Sequence, residues 1–243
     1  GVLIELSDYF IIKKLGKKNY LYIILYTIAI MMTGKRMLFA IEIILIIALI
    51  MFSEAKGKGL KLIGGACIII PVFMMLVNLI PQTQVLIQRM SQYSGDDMLN
   101  GRQFFWDYCF LMFSRKPLIG YGFDSFNTAF AAEIHYVYKG RVWDMYAHNI
   151  YYELLGEVGI LGILLFICLL GCGLYMTIRL MKNGQITDTQ KKLVFCALGF
   201  QLMFIIYGFT GNCLYENEQL MLYFIGMLIT TLVLKEIKAN KRG

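Results

Sequence analysis

The sequence predicts an all-α membrane protein, a polytopic bundle of transmembrane helices with one large extracytoplasmic loop. Of its 243 residues, 58% are hydrophobic and only 16% are charged, and its mean hydropathy is +0.63. Soluble domains carry about 25% charged residues, so this composition excludes most water-soluble classes. The apolar residues also fall into long runs separated by basic segments, which is typical of membrane spans. Because the chain opens with Gly1 and shows no signal peptide, we expect it to be the C-terminal part of a longer chain.

Six apolar runs predict the transmembrane helices. They are residues 20–32, 37–52, 62–80, 158–178, 193–209 and 219–234. The fourth run is uncharged and long enough to cross about 30 Å of hydrocarbon at about 1.5 Å per residue. We expect its helix to begin earlier, near His148, and we expect Pro71 to kink the helix of the third run.

The spans divide the chain into three parts, residues 1–80, 81–147 and 148–243. The first part has a cytoplasmic N-terminal segment and three spans, and the last has three spans and a basic cytoplasmic tail. Most of the 23 Lys and Arg residues lie in segments on the side of the two termini, so the positive-inside rule places the loop outside. A loop of this length and aromatic content is expected to be functional. We therefore predict a multi-pass protein of the cytoplasmic membrane with an extracytoplasmic active site.

The net charge of +7 does not predict nucleic-acid binding, because no basic stripe alternates with aromatic residues. The six cysteines show no metal-ligand spacing, so the sequence predicts no metal site, and it shows no cofactor motif. Four of the cysteines lie in apolar runs and are most simply small buried residues. Cys109 and Cys213 lie outside the predicted spans and could form a disulfide.

Four polar motifs stand out against the apolar background. They are residues 33–36 (TGKR), 101–106 (GRQFFW), 117–122 (PLIGYG) and 148–162 (HNIYYELLGEVGILG). They present arginine and histidine at the edges of predicted spans. A planar guanidinium can bind two phosphate oxygens at once, and a neutral imidazole can take a proton from a hydroxyl. These groups suit a site where a lipid-borne phosphate meets a sugar hydroxyl.

In order and spacing, these motifs resemble the O-antigen ligase and polymerase family (Wzy/WaaL-type) of membrane glycosyltransferases over roughly residues 30–180. The resemblance implies an inverting, metal-independent and cofactor-free transfer of glycan from an undecaprenyl-diphosphate-linked donor to a glycan acceptor. It assigns His148 to the acceptor as general base, and Arg36 and Arg102 to the diphosphate. It also implies contact with membrane lipids and allows other envelope polysaccharide assembly proteins as partners.

Each of these residues also has a simpler interpretation. Arg36 could extend to anionic lipid headgroups. Arg102 could form a salt bridge with Asp96 or Asp97. His148 could be an ordinary residue at a helix start, hydrogen-bonded to a loop carbonyl.

Three further residues could support the site. Glu42 lies inside the second predicted span, where an ionisable group usually faces the bundle interior, and it could anchor an arginine. Asn149 and Glu153 recur at four-residue spacing together with Glu157, so they could orient the imidazole, could line the acceptor groove, or could form only the solvated first turns of a helix. The glycines of the fourth motif, at three-residue steps in residues 156–162, predict close helix packing.

The first functional hypothesis is a polysaccharide polymerase of the O-antigen, capsule or exopolysaccharide type. An O-antigen ligase is the second, and it differs only in its acceptor, a lipid core or a protein. A non-catalytic transporter or flippase for lipid-linked oligosaccharides is a third hypothesis, but it would need polar groups at mid-bilayer. The fourth predicted span has none there.

Overall fold

The computed structural model of the protein describes residues 2, 4–7, 17–32, 41–44, 47, 102–134, 137–138, 141–142 and 146–240. Arg36, Pro71, the third predicted span and the loop up to residue 101 lie outside the described residues. So does most of the second predicted span, of which residues 41–44 and 47 are described.

The described residues are mostly helical. Their helices are α1 (Lys17–Met32), α2 (Arg102–Arg115), α3 (Phe126–Ile134), α4 (Ile150–Met181), α5 (Asp188–Tyr207) and α6 (Asn217–Asn240). Two short strands, β1 (Val137–Tyr138) and β2 (Arg141–Val142), form an antiparallel hairpin. This hairpin was not predicted, but the all-α helix-bundle class is confirmed.

Three of these helices, α4, α5 and α6, are long and apolar enough to cross a membrane. Helices α4 and α6 contain the fourth and sixth predicted spans, and α5 contains the fifth predicted span up to Tyr207. The first predicted span falls in α1, whose apolar segment Leu21–Ile30 is shorter. Apolar side chains along α4 are exposed, and Leu165 is 73% exposed. An exposed apolar helix surface is suited to contact with lipid, so the protein is a membrane protein.

Local side chains determine where α5 begins. Thr187 Oγ1 accepts a hydrogen bond from the backbone N of Gln190 at 3.3 Å, and Gln190 Oε1 accepts one from the backbone N of Thr187 at 2.9 Å. This reciprocal pair is a capping box, which satisfies two of the backbone donors that a helix start leaves without acceptors.

Helix α4 contains a break at Gly159, where φ is 65° and ψ is −169°. The break frees backbone N–H groups that a continuous helix would pair internally. Ile160 N donates instead to Pro117 O at 2.8 Å, and Leu161 N donates to Leu118 O at 3.2 Å. The turn after α2 therefore supplies the acceptors that the broken helix lacks.

The contact between this turn and α4 requires two glycines, Gly120 in the turn and Gly159 in the helix. Gly120 has a φ of +64°, and a Cβ there would overlap the carbonyl oxygen of Glu157. A Cβ at Gly159 would lie 2.5 Å from the carbonyl oxygen of Leu118. Gly156 packs closely on α2, since a Cβ there would lie 3.0 Å from Cys109 O. The predicted close packing is thus found at Gly156 against α2, and Gly159 packs closely against the turn after α2. The break in the helix at Gly159 was not predicted.

The chain divides into two compact units. The first unit comprises Gly1–Asp96, Met176–Met203 and Phe224–Gly243, and the second comprises Asp97–Tyr175 and Phe204–Tyr223. The first unit has an apolar core that contains Leu180, Ile186, Val194 and Val233. The second has a core of largely aromatic residues, which contains Tyr108, Cys109, Met112, Phe126, Phe130 and Ala147.

Candidate functional site

The candidate site lies in the second unit, at the start of α4. Asn149 is the N-cap of this helix, because its Oδ1 accepts hydrogen bonds from the backbone N of Tyr151 at 3.1 Å and of Tyr152 at 3.2 Å. This contact confirms that the helix begins near His148. It also gives Asn149 a role in holding the backbone next to His148, whereas the sequence left open whether it orients the imidazole or belongs only to the first turns of a helix.

His148 has a left-handed backbone conformation, with a φ of 53°. A non-glycine residue held in this region costs of the order of 1–3 kcal/mol, and such residues cluster at functional sites. The neighbouring contacts hold the strained backbone: His148 N donates to Asn212 Oδ1 at 3.1 Å. His148 itself is partly exposed.

Asn212 also contacts the imidazole. Its Nδ2 lies 3.3 Å from Nδ1 of His148. Asn212 belongs to the turn of residues 208–216 between α5 and α6, which we name the α5–α6 turn, and it is 8% exposed. Sequence analysis missed this residue. The polar triplet Thr-Gly-Asn between two predicted spans was the feature of the sequence that indicated it.

Arg102 lies against the same α5–α6 turn. It begins α2, and its Nη1 donates to the backbone oxygen of Thr210 at 3.2 Å. Asn212, two residues further along the turn, holds His148. The two residues for which the resemblance predicts catalytic and diphosphate-binding roles are therefore held by one short segment. The acidic alternative partners of Arg102, Asp96 and Asp97, lie outside the described residues.

The pKa of His148 is lowered from the ordinary 6.5, first by burial and then by the positive charge of Arg102. Both causes disfavour the imidazolium form. The ring is therefore neutral at physiological pH.

The residue before His148 is held from two sides. Ala147 N donates to Glu153 Oε2 at 2.8 Å, and Ala147 O accepts from Trp106 Nε1 at 2.9 Å. Glu153 is 1% exposed, and its Oε1 has no hydrogen-bond partner among the described residues. Glu153 therefore holds the backbone of Ala147, next to His148. The spacing of the residues alone did not reveal this positioning role. The role of Trp106 was also missed.

Glu157 links three segments of the second unit. Its Oε1 accepts from Phe126 N at 2.8 Å, and its Oε2 accepts from Asp124 N at 3.0 Å and from the hydroxyl of Tyr215 at 2.6 Å. The side chain is fully buried, so these donors replace its hydration. Burial and the neighbouring Glu157 raise the pKa of Tyr215, which keeps its hydroxyl protonated as a donor.

Aromatic rings surround this linkage. The ring of Tyr215 stacks on Tyr146, with centroids 5.0 Å apart, and on Phe123, with centroids 5.5 Å apart. Offset aromatic stacking of this kind adds about 0.5–1.5 kcal/mol beyond burial. The α5–α6 turn is thus fixed at Tyr215 as well as at Asn212.

The sequence also predicted site roles for Arg36 and Glu42. Arg36 is outside the described residues. Glu42 belongs to the first unit, is 7% exposed, and accepts a hydrogen bond from Thr27 Oγ1 at 2.8 Å. Its Oε2 has no hydrogen-bond partner among the described residues, so the arginine contact suggested by the sequence is not observed there.

The disulfide that the sequence allowed does not form. Cys109 and Cys213 are both free and buried. Burial raises the pKa of both thiols, to about 12 for Cys213, so they are inert neutral thiols. Within the part of the chain that the structure describes, no group of three or more His, Cys, Asp or Glu residues could hold a metal ion.

A comparison with models of protein families matches residues 21–167 to the O-antigen ligase family. The chain belongs to the O-antigen ligase family. The match confirms the resemblance drawn from the motifs, and it makes the protein a membrane glycosyltransferase-like enzyme. The matched range includes Arg36, Arg102 and His148 and ends inside α4, so Asn212 lies beyond it. A comparison with curated proteins found no match.

Proposed function

We propose that this member of the O-antigen ligase family is a polysaccharide polymerase. It transfers glycan from an undecaprenyl-diphosphate-linked donor to a sugar hydroxyl, outside the cytoplasmic membrane. The observation that carries the proposal is that Arg102 and His148 are both held by the α5–α6 turn. A guanidinium and a neutral imidazole are then available to one phosphate-bearing substrate and its acceptor.

In the proposed reaction, the oxygen of the acceptor hydroxyl forms a bond to the anomeric carbon of the donor sugar. The bond from that carbon to the diphosphate oxygen breaks, and its electron pair leaves with undecaprenyl diphosphate. Attack opposite the leaving group inverts the anomeric configuration. The proton of the hydroxyl passes to a base, for which the sequence predicts His148.

Arg102 acts on the leaving group. Negative charge grows on the diphosphate as the sugar bond breaks, and a fixed guanidinium stabilises that charge through two parallel hydrogen bonds. Arg36 is proposed as a second diphosphate contact. Because arginine supplies the positive charge, the proposed reaction needs no divalent cation.

The test reconstitutes the full-length protein in liposomes with an undecaprenyl-diphosphate-linked oligosaccharide. A polymerase makes longer lipid-linked glycans from this donor alone, and the products are separated by gel electrophoresis. Transfer that occurs only when a lipid core is added would overturn the proposal in favour of a ligase. Movement of the glycolipid across the bilayer without any new glycosidic bond would overturn it in favour of a transporter.

A further inference from the structure

The carboxamide of Asn212 contacts His148 at two different atoms. Its Oδ1 lies 3.1 Å from the backbone N of His148, and its Nδ2 lies 3.3 Å from the ring Nδ1. One end of a carboxamide only accepts hydrogen bonds, and the other end only donates them. The two contacts together therefore carry information about where the ring proton lies.

The orientation of the carboxamide follows from the backbone contact. A backbone N–H can only donate, so it must face the carboxamide oxygen. Turning the carboxamide over would place two donors against each other at His148 N. With the oxygen fixed, the NH₂ group of Asn212 faces Nδ1, which must then be the acceptor.

A neutral imidazole has one nitrogen with a proton and one with a lone pair. We propose that Asn212 holds His148 in the tautomer that has its lone pair on Nδ1 and its proton on Nε2. Asn212 is thereby a positioning residue, and this role rests on the proposed transfer function. The tautomer itself is a property of the resting protein.

The charged groups near these elements do not compete for Nδ1. Glu153, on α4, accepts from Ala147 N through Oε2, and Glu216, in the α5–α6 turn, accepts from the Tyr207 hydroxyl at 3.3 Å. Arg102, on α2, is a donor and cannot accept a ring proton. The contact with Asn212 is therefore the one that selects the tautomer.

This tautomer determines which hydrogen bond the ring of His148 makes before any proton is transferred. With its proton on Nε2, the ring donates a hydrogen bond to an oxygen of a bound sugar or phosphate. A general base needs a lone pair, and the lone pair of this ring points at Asn212. The base role predicted from the sequence therefore requires Asn212 to release Nδ1 before the proton of the acceptor can move.

The experiment is ¹⁵N NMR of the full-length protein, labelled at histidine, in lipid nanodiscs without donor. This chain of 243 residues has two histidines, so the variant His135→Gln isolates the ring of His148 within it. Protonated and unprotonated ring nitrogens resonate in well-separated ranges. We expect Nε2 to be protonated and Nδ1 to be unprotonated above the pKa of the ring. The reverse pattern, or an equal mixture, would overturn the inference.

A matched pair of variants distinguishes positioning from a merely structural role. In Asn212→Asp, the carboxylate still accepts from His148 N but now favours a proton on Nδ1, so the tautomer reverses and the pKa of His148 rises. In Asn212→Ala, both contacts are lost and the tautomers mix. An Asn212→Asp protein that folds and keeps the wild-type tautomer would contradict the inference. If neither variant folds, the wild-type spectrum alone decides.

The NMR result and the transfer assay fail independently. A ring with its proton on Nε2 in a protein that transfers no glycan would refute the proposed function and leave the tautomer standing. A ring with its proton on Nδ1 in an active polymerase would refute the tautomer and leave the function standing.

Discussion

The two compact units bury polar side chains for different purposes. In the first unit, buried polar side chains pair with one another: Thr177 and Thr230 hydroxyls lie 2.9 Å apart, and Gln201 Nε2 donates to Thr177 Oγ1 at 2.8 Å. In the second unit, Asn212 and the carboxylates of Glu153 and Glu157 accept hydrogen bonds from backbone N–H groups of loops.

The difference follows from what each unit has to stabilise. Regular helices satisfy their own backbone groups, so side-chain pairs between them need only add contact. Irregular backbone beside a membrane leaves N–H groups without acceptors. Each N–H group that is buried without a partner lowers the stability of the fold by about 1–3 kcal/mol. The second unit uses buried acceptors to keep such backbone in place, and the candidate site is built on it.

The largest expected effect is on the transfer rate, from replacing His148. The variant His148→Ala should lower the rate by about 10²–10⁴-fold, because a positioned proton-transfer group contributes this much. The measurement is the initial rate of glycan extension in liposomes. Thr230→Val, in the first unit, is the control and should leave the rate unchanged. A His148→Ala protein that is folded and extends glycan normally would remove the functional contrast between the units.

The next effect is on stability, from removing the acceptor at Glu157. The variant Glu157→Leu leaves two backbone donors and the Tyr215 hydroxyl without a partner, so the free energy of unfolding should fall by about 3 kcal/mol or more. Unfolding is followed by tryptophan fluorescence during titration with a denaturing detergent. Glu157→Gln retains one acceptor oxygen and should lose less. Equal losses in the two variants would show that shape, and not hydrogen bonding, holds these segments.

Helices α4, α5 and α6 were predictable from the sequence because long apolar runs leave few alternatives. The break at Gly159 was not, since a glycine inside an apolar helical pattern also fits close packing, as it does at Gly156. What decides between the two is the carbonyl groups of Pro117 and Leu118, which come from a distant turn. The hairpin of β1 and β2 was missed because strands of two residues have no visible alternation.

The candidate site was only partly predictable, because its contacts join residues that lie far apart in the sequence. The polar motifs and the family resemblance that they carry directed attention to Arg102 and His148. They could not find Asn212, which lies 64 residues after His148 and contacts its backbone as well as its ring. They also left the roles of Asn149 and Glu153 open, since a residue that holds backbone looks the same in a sequence as one that orients a side chain.

A smaller effect is expected on donor affinity, from changing the shape of the charge at Arg102. The variant Arg102→Lys keeps the positive charge but loses the planar pair of donors, so the Kd for the diphosphate donor should rise about 10-fold. Donor binding is measured by microscale thermophoresis in detergent. Arg115→Lys is the matched control, because Arg115 pairs with Glu133 at the exposed end of α2. Unchanged donor affinity in Arg102→Lys would exclude the bidentate contact.

In the first unit, loss of one hydroxyl should have a modest effect. Thr230 Oγ1 contacts Thr177 and also donates to the backbone oxygen of Gly226 at 3.0 Å. Because paired hydroxyls between membrane helices contribute about 1 kcal/mol, Thr230→Val should lower the free energy of unfolding by about that amount. The same detergent titration measures it. A loss as large as that of Glu157→Leu would mean that the two units do not differ in how strongly they depend on buried polar groups.

The smallest effect is on the titration of His148, and it tests whether charge as well as burial acts at the site. Arg102 lowers the pKa of the ring by disfavouring the imidazolium. Removing the charge in Arg102→Gln should therefore raise the pKa, yet burial should still hold it below 6.5. Because burial is the larger cause, the midpoint of the NMR titration should move toward higher pH only part of the way. A midpoint that does not move would mean that the charge of Arg102 does not act on the ring of His148. The two units would then differ only in how their side chains pack.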